Sequence, residues 1–141
     1  MEFKDKIAVV TGAARGIGLA VCQALVAEGC KVVIVDINVE AAEASAEAIR
    51  QSGGQALALG CDVSVDAQVE AVGLVVKQHF GVADVLINNA VAHPLAPGNI
   101  DDIAMARWSQ ALNINVLGYV RMLKAFVPAM LARGSGYVVT T

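Results

Sequence analysis

Aromatic side chains are scarce: one tryptophan, two tyrosines and three phenylalanines in 141 residues. Charge is scarce as well, at 16% against roughly 25% in an ordinary globular chain. Disorder requires the reverse balance, few apolar residues and much charge, so a chain that is 57% apolar is not disordered. No unbroken apolar run nears the roughly 18 residues of a membrane helix, because Arg121, Lys124 and Arg133 interrupt the late apolar stretch. No membrane partner is expected. The ten basic residues are outnumbered by thirteen acidic ones and form no stripe. A nucleic-acid surface needs clustered lysine and arginine to neutralise phosphates, so none is expected either. Cys22, Cys30 and Cys61 are odd in number and share no metal-ligand spacing, which reads as buried reduced thiols and no metal. The opening MEFKDKIAVVTG mixes acidic and basic residues and runs straight into an aliphatic segment. It does not read as a signal peptide, and a cytoplasmic protein is expected.

What the chain has in abundance is aliphatic residues in short runs. Strands of a parallel sheet are buried on both faces and read as near-continuous Val, Ile and Leu. Lys6–Thr11, Lys31–Asp36, Gln55–Cys61, Asp84–Asn88 and Tyr137–Thr141 read as such strands. Between them lie helical patterns. Gly16–Glu28 carries Ile17, Val21 and Leu25 on one face and stops at Gly29. Val39–Gln51 is Ala-rich, and a third helix, capped by Ser64, runs to about Phe80 despite Gly73. A long helix, about Ile103–Ala132, comes after a loop containing His93. Its expected core face is Trp108, Leu112, Val116, Val120, Leu123, Val127 and Leu131, with a kink at Pro128. Strand–helix alternation with short connections predicts one α/β domain over 1–141, a Rossmann-type doubly wound parallel sheet ending after its fifth strand.

The first strand–helix turn is Thr11-Gly12-Ala13-Ala14-Arg15-Gly16-Ile17-Gly18. Gly12 permits a tight turn, Gly16 lets a diphosphate approach the backbone, and Gly18 lets the helix pack closely. The helix N-terminus offers free N–H groups to phosphate. Asp36 ends the second strand, where an acidic side chain accepts hydrogen bonds from an adenosine ribose. Its carboxylate would repel a 2′-phosphate, which favours NAD over NADP, while Arg15 could offset part of that repulsion.

Over its whole length the chain resembles the short-chain dehydrogenase/reductase family. Thr11–Gly18 matches the family's TGxxxGIG turn, with Arg15 and Ile17 inside it. Asp62-Val63 matches a pair that contacts adenine. Asn88-Asn89-Ala90 matches the NNAG motif, with Val91 in place of its glycine. Asn115 matches the asparagine of the catalytic tetrad, whose implied role is to hold a water in a proton relay. The resemblance further implies a Ser, and a Tyr followed four residues later by Lys. Tyr119 and Lys124 are five apart and in the wrong element, and Tyr137 has no following lysine.

The implied activity is NAD-dependent hydride transfer between nicotinamide and a secondary alcohol or ketone, the full-length form being a homo-oligomer. The 141 residues themselves are expected to be the cofactor-binding portion, without turnover. A non-catalytic nucleotide-binding module is the alternative. His93 follows the Asn-Asn-Ala segment, where the family's substrate pocket begins, although an ordinary polar loop residue is the preferred reading. His79 near a helix end favours the helix dipole, and Trp108 reads as a core anchor.

Overall fold

The computed structural model describes residues 3–92 and 100–141. Five strands form a single sheet: β1 (Ile7–Thr11), β2 (Lys31–Asp36), β3 (Gln55–Gly60), β4 (Val85–Asn88) and β5 (Tyr137–Thr140). The order is β3-β2-β1-β4-β5, with every pairing parallel. The helices are α1 (Gly16–Ala27), α2 (Val39–Gln51), α3 (Asp66–His79), α4 (Met105–Leu112) and α5 (Tyr119–Arg133).

Strand side chains alternate between faces, and the core divides accordingly. Val9, Val33, Val35 and Leu86 meet Val69, Val72 and Val76 of α3 and Met122, Phe126 and Met130 of α5. On the other face Ala8, Val10, Val32 and Ile34 meet Cys22 of α1 and Ala42, Ala46 and Ile49 of α2. The doubly wound parallel sheet expected from the aliphatic runs is therefore the observed architecture. The chain builds outward from β1 through β2 to β3, then returns to place β4 on the opposite side of β1. Such a reversal opens a crevice at the carboxyl ends of the two central strands.

The late helix departs from expectation. It runs from Met105 to Arg133, but residues Asn113–Gly118 form a π-helical turn between α4 and α5. Pro128 lies inside α5, which continues past it to Arg133. The core face is also different. Ala111, Gly118, Met122, Phe126 and Met130 are buried, while the expected Leu112, Val116, Val120 and Leu131 are exposed. Leu123 and Val127 only flank the core, and Trp108 is half-buried rather than an anchor. The helix is apolar on more than one face, so hydropathy alone does not select the stripe that meets the sheet. The buried residues recur every four or seven positions, as in an ordinary helix, but on a neighbouring stripe. By length and composition this stretch is also apolar enough to cross a membrane, because averaged hydropathy absorbs the charges that break its apolar runs.

Two smaller corrections concern helix ends. Ser64 does not cap α3, whose N-cap is Val65; the Ser64 amide and hydroxyl both donate to Asp62 Oδ1, at 2.9 and 2.6 Å. In α1 the buried positions are Gly18 and Cys22, and Ile17 is exposed. A Cβ on Gly73 would lie 3.4 Å from Ala125 Cβ, an ordinary van der Waals contact where α3 meets α5. Cys22, Cys30 and Cys61 are buried free thiols.

Candidate functional site

A cleft of about 570 Å³ opens where β1, β2 and β4 end, at the reversal of strand order. Gly12, Arg15, Gly16, Ile17, Asp36, Asp62, Val63, Asn89 and Ala90 all line it. Gly18 and Asn115 are not among its lining residues. Val35, Ile37, Cys61, Val91, Ala92 and Ile114 complete the lining.

The glycine turn is held from three sides. Thr11, fully buried at the end of β1, accepts hydrogen bonds through its hydroxyl from the amides of Asn89 and Ala90, both at 3.0 Å. The Asn89 side-chain amide returns the connection, donating to the carbonyls of Thr11 and Gly12 at 3.0 and 3.1 Å. From β2, Asp36 Oδ2 accepts from the Ala14 amide at 3.0 Å. From α2, the Ser45 hydroxyl donates to the Ala14 carbonyl at 2.9 Å. Gly12 and Gly16 adopt φ of +63° and +59°, a region that side chains with a Cβ disfavour. A Cβ on Gly12 would lie 2.8 Å from Ala90 Cα, whereas one on Gly16 would meet nothing within 4 Å. Gly16 therefore faces open space. A Cβ on Gly18 would strike the Gly12 carbonyl at 2.5 Å and the Asn89 amide at 2.7 Å, so this glycine serves packing against the turn itself.

Helix α1 begins at Gly16 with neither a side-chain cap nor an acidic residue in its first turn. Its leading N–H groups and the positive end of its dipole are left for an anion. Arg15 is exposed beside it, and among the described residues its guanidinium has no ion pair. Asp36 also accepts from the Asn38 amide at 3.0 Å through Oδ1. Each carboxylate oxygen has a second lone-pair direction, so bracing the turn leaves acceptor capacity toward the cleft. Burial, with a smaller contribution from Asp62, pushes the Cys61 thiol up to about 11. It is a neutral, apolar part of the wall.

At the far end, Asn115 sits in the π turn. Its Oδ1 accepts from the Ala92 amide at 2.8 Å and its Nδ2 donates to the Ala92 carbonyl at 2.9 Å. The side chain is thereby committed to holding the segment after β4. Tyr119 lies on α5, with its hydroxyl donating to the Thr141 carbonyl at 3.3 Å, away from the cleft lining. His79 is the last residue of α3 and stacks edge-on with Phe80. His93 lies outside the described residues. Sequence reasoning missed Thr11 as a brace, and it missed Ile37, Cys61 and Ile114 as lining. Thr11 was legible as the hydroxyl residue opening the glycine turn, while Ile114 depends on a π turn that no local pattern announces.

The sequence matches the short chain dehydrogenase family over residues 6–141. It is 43% identical over 136 residues to galactitol 2-dehydrogenase of Agrobacterium fabrum, covering 96% of this chain and 51% of that protein. To sorbitol dehydrogenase of Cereibacter sphaeroides it is 40% identical, with the same coverage. Among solved structures, a short chain dehydrogenase/reductase from Burkholderia phymatum in complex with NAD superposes with a TM-score of 0.93 at 30% identity. That match covers 99% of this chain and 50% of the other. L-Sorbose reductase from Gluconobacter frateurii, complexed with NADPH and L-sorbose, gives 0.90 at 32% identity, covering 99% and 54%. The chain thus spans about half the length of the relatives it matches. With the cleft at the strand reversal and a family match across nearly every residue, the chain belongs to the short chain dehydrogenase family.

Proposed function

We propose that these residues form the dinucleotide-binding portion of an NAD-dependent oxidoreductase acting on a secondary alcohol or ketone. The observation that carries the reading is Gly16: it faces open space at the uncapped start of α1, inside the cleft. A diphosphate fits there because no Cβ intervenes and the leading N–H groups are unclaimed. Asp36, at the end of β2, holds a ribose through its remaining lone pairs and sets a carboxylate against any 2′-phosphate. NAD is therefore the preferred dinucleotide, with NADP disfavoured. Asp62, Val63 and Ile37 bound the nucleobase end. Asn89 and Ala90 bound the middle of the cleft, with Arg15 and Ile17 over the diphosphate.

When bound, a nicotinamide ring accepts or delivers the hydride. The residues present here bind and orient. Asn115 positions the backbone at Ala92, at the end of the cleft opposite Asp36. Residues 1–141 hold no Tyr-x-x-x-Lys, so the acid/base step of the family is not assigned to any of them. The relatives named for galactitol and sorbitol support a small polyol or its ketone as the substrate class. The exposed Leu112, Val116 and Val120, spaced at about one helical turn, support a homo-oligomer. A cytoplasmic setting accords with three reduced thiols.

Titration with NADH, followed by nicotinamide fluorescence, tests the reading. The unmodified protein is expected to bind. Gly16→Ala adds a Cβ at positive φ and in the diphosphate path, and is expected to weaken binding by about tenfold or more, roughly 1.4 kcal/mol. Equal affinity in parent and variant would remove this turn as the phosphate site.

A further inference from the structure

The π turn Asn113–Gly118 touches the cleft at three points. Ile114 lines it directly. Asn115 clasps Ala92, which also lines it. The third point is Gly118, buried at the end of the turn. A Cβ built on Gly118 would lie 2.8 Å from Val63 Cγ2, 3.2 Å from Val63 Cβ and 3.4 Å from the Val63 carbonyl oxygen. Val63 is itself buried and lines the cleft. The backbone of the late helix is thus seated directly against the wall residue that comes after β3.

We propose that Gly118 is a positioning residue for the dinucleotide cleft: its missing side chain lets the π turn seat against Val63 and fixes the width of the nucleobase end. The proposal rests on the dinucleotide reading of the cleft. Valine has a restricted χ1, so the contact cannot be relieved by swinging one methyl group aside; Val63 Cβ and its carbonyl are in the way as well. A side chain at 118 therefore has two outcomes. Either Val63 is pushed with its backbone, or the π turn retreats and takes Asn115 and its hold on Ala92 with it. Both alter the cleft, one at each end. Gly73 has no such consequence: its neighbour is Ala125 of α5, at ordinary contact distance and outside the cleft lining.

The test is NADH affinity across a double-mutant cycle of Gly118→Ala and Val63→Ala, with Gly73→Ala as the control for replacing a helix glycine outside the cleft and circular dichroism to confirm folding. Gly118→Ala is expected to weaken NADH binding by about fivefold or more, while Gly73→Ala stays within about twofold of the parent. In the Val63→Ala background the 2.8 Å contact with Cγ2 is gone and only the contacts with Cβ at 3.2 Å and the carbonyl oxygen at 3.4 Å remain, so the Gly118→Ala loss is expected to shrink to about half or less. If Gly118→Ala alone fails to fold, a double variant that folds and binds NADH supports the proposal, and one that also fails to fold overturns it. Parent-like affinity in folded Gly118→Ala overturns the proposal, as does a Gly118→Ala loss that persists undiminished in the Val63→Ala background. An unmodified protein that binds no NADH rejects the dinucleotide reading itself, and this proposal with it.

Discussion

Asn88 and Asn89 are neighbours of identical chemistry with opposite fates. Asn89 ties the β4 end to the glycine turn through Thr11 and Gly12. Asn88 is fully buried, and neither its Oδ1 nor its Nδ2 has a hydrogen-bond partner among the described residues. Strand alternation places Asn88 on the face of Leu86 and sends the next residue the other way, so the pair was legible as a motif but not as two environments. The same holds for Asp36. Its place at a strand end beside a glycine turn was readable, yet its hydrogen bonds to the Ala14 and Asn38 amides depend on how β2 sits against that turn. The thiols give a prediction at this scale. Burial pushes Cys22 from 9.0 up to about 12 and Cys61 up to about 11. The folded chain keeps protons that the unfolded chain releases above 9.0, so this contribution is complete below that pH. Stability then falls as the pH climbs toward 11 or 12. At pH about 10 the loss from Cys22 is about 1 kcal/mol. Urea midpoints measured on both sides of this range should show it, and Cys22→Ala should flatten the slope. An unchanged slope in that variant would contradict the assignment to Cys22.

At the scale of elements, strands were easier to read than helix faces. Short aliphatic runs bounded by glycine or polar residues admit few interpretations, and the observed strands lie within one residue of the expected bounds. A helix carrying aliphatics on several sides offers competing stripes. Only packing against the sheet decided that Met122, Phe126 and Met130 face inward while Leu112, Val120 and Leu131 do not. The two stripes differ in their expected energetics. Removing most of a fully buried side chain costs the transfer free energy plus a cavity term, so Met122→Ala should lower unfolding stability by about 2–5 kcal/mol. Leu131 is 75% exposed, and Leu131→Ala should change stability by less than about 0.5 kcal/mol. Urea unfolding with a constant m-value distinguishes them. Similar losses in both variants would mean that the helix is seated in another register.

For the whole molecule, the order β3-β2-β1-β4-β5 gathers distant segments into one place. The glycine turn comes after β1, Asp36 ends β2, Asp62 and Val63 come after β3, and Asn89 and Ala90 after β4. All of them line a single cleft. The strand–helix rhythm made that convergence legible, because parallel strands put all their carboxyl ends on one edge. The closing of the far wall by the π turn was not legible, since it depends on an irregular helix approaching from elsewhere in the chain.

The choice of dinucleotide depends on one pairing, that of the adenosine ribose with Asp36. Two unit charges about 4 Å apart repel by about 4 kcal/mol at a surface-like effective dielectric, before screening by salt and by Arg15. The decisive experiment is calorimetric titration of the protein and of Asp36→Ala with NAD and with NADP under one buffer. The unmodified protein is expected to prefer NAD by about tenfold or more, and Asp36→Ala to lose most of that preference. Equal affinity for the two dinucleotides in the unmodified protein, or a preference that survives in Asp36→Ala, would overturn the pairing.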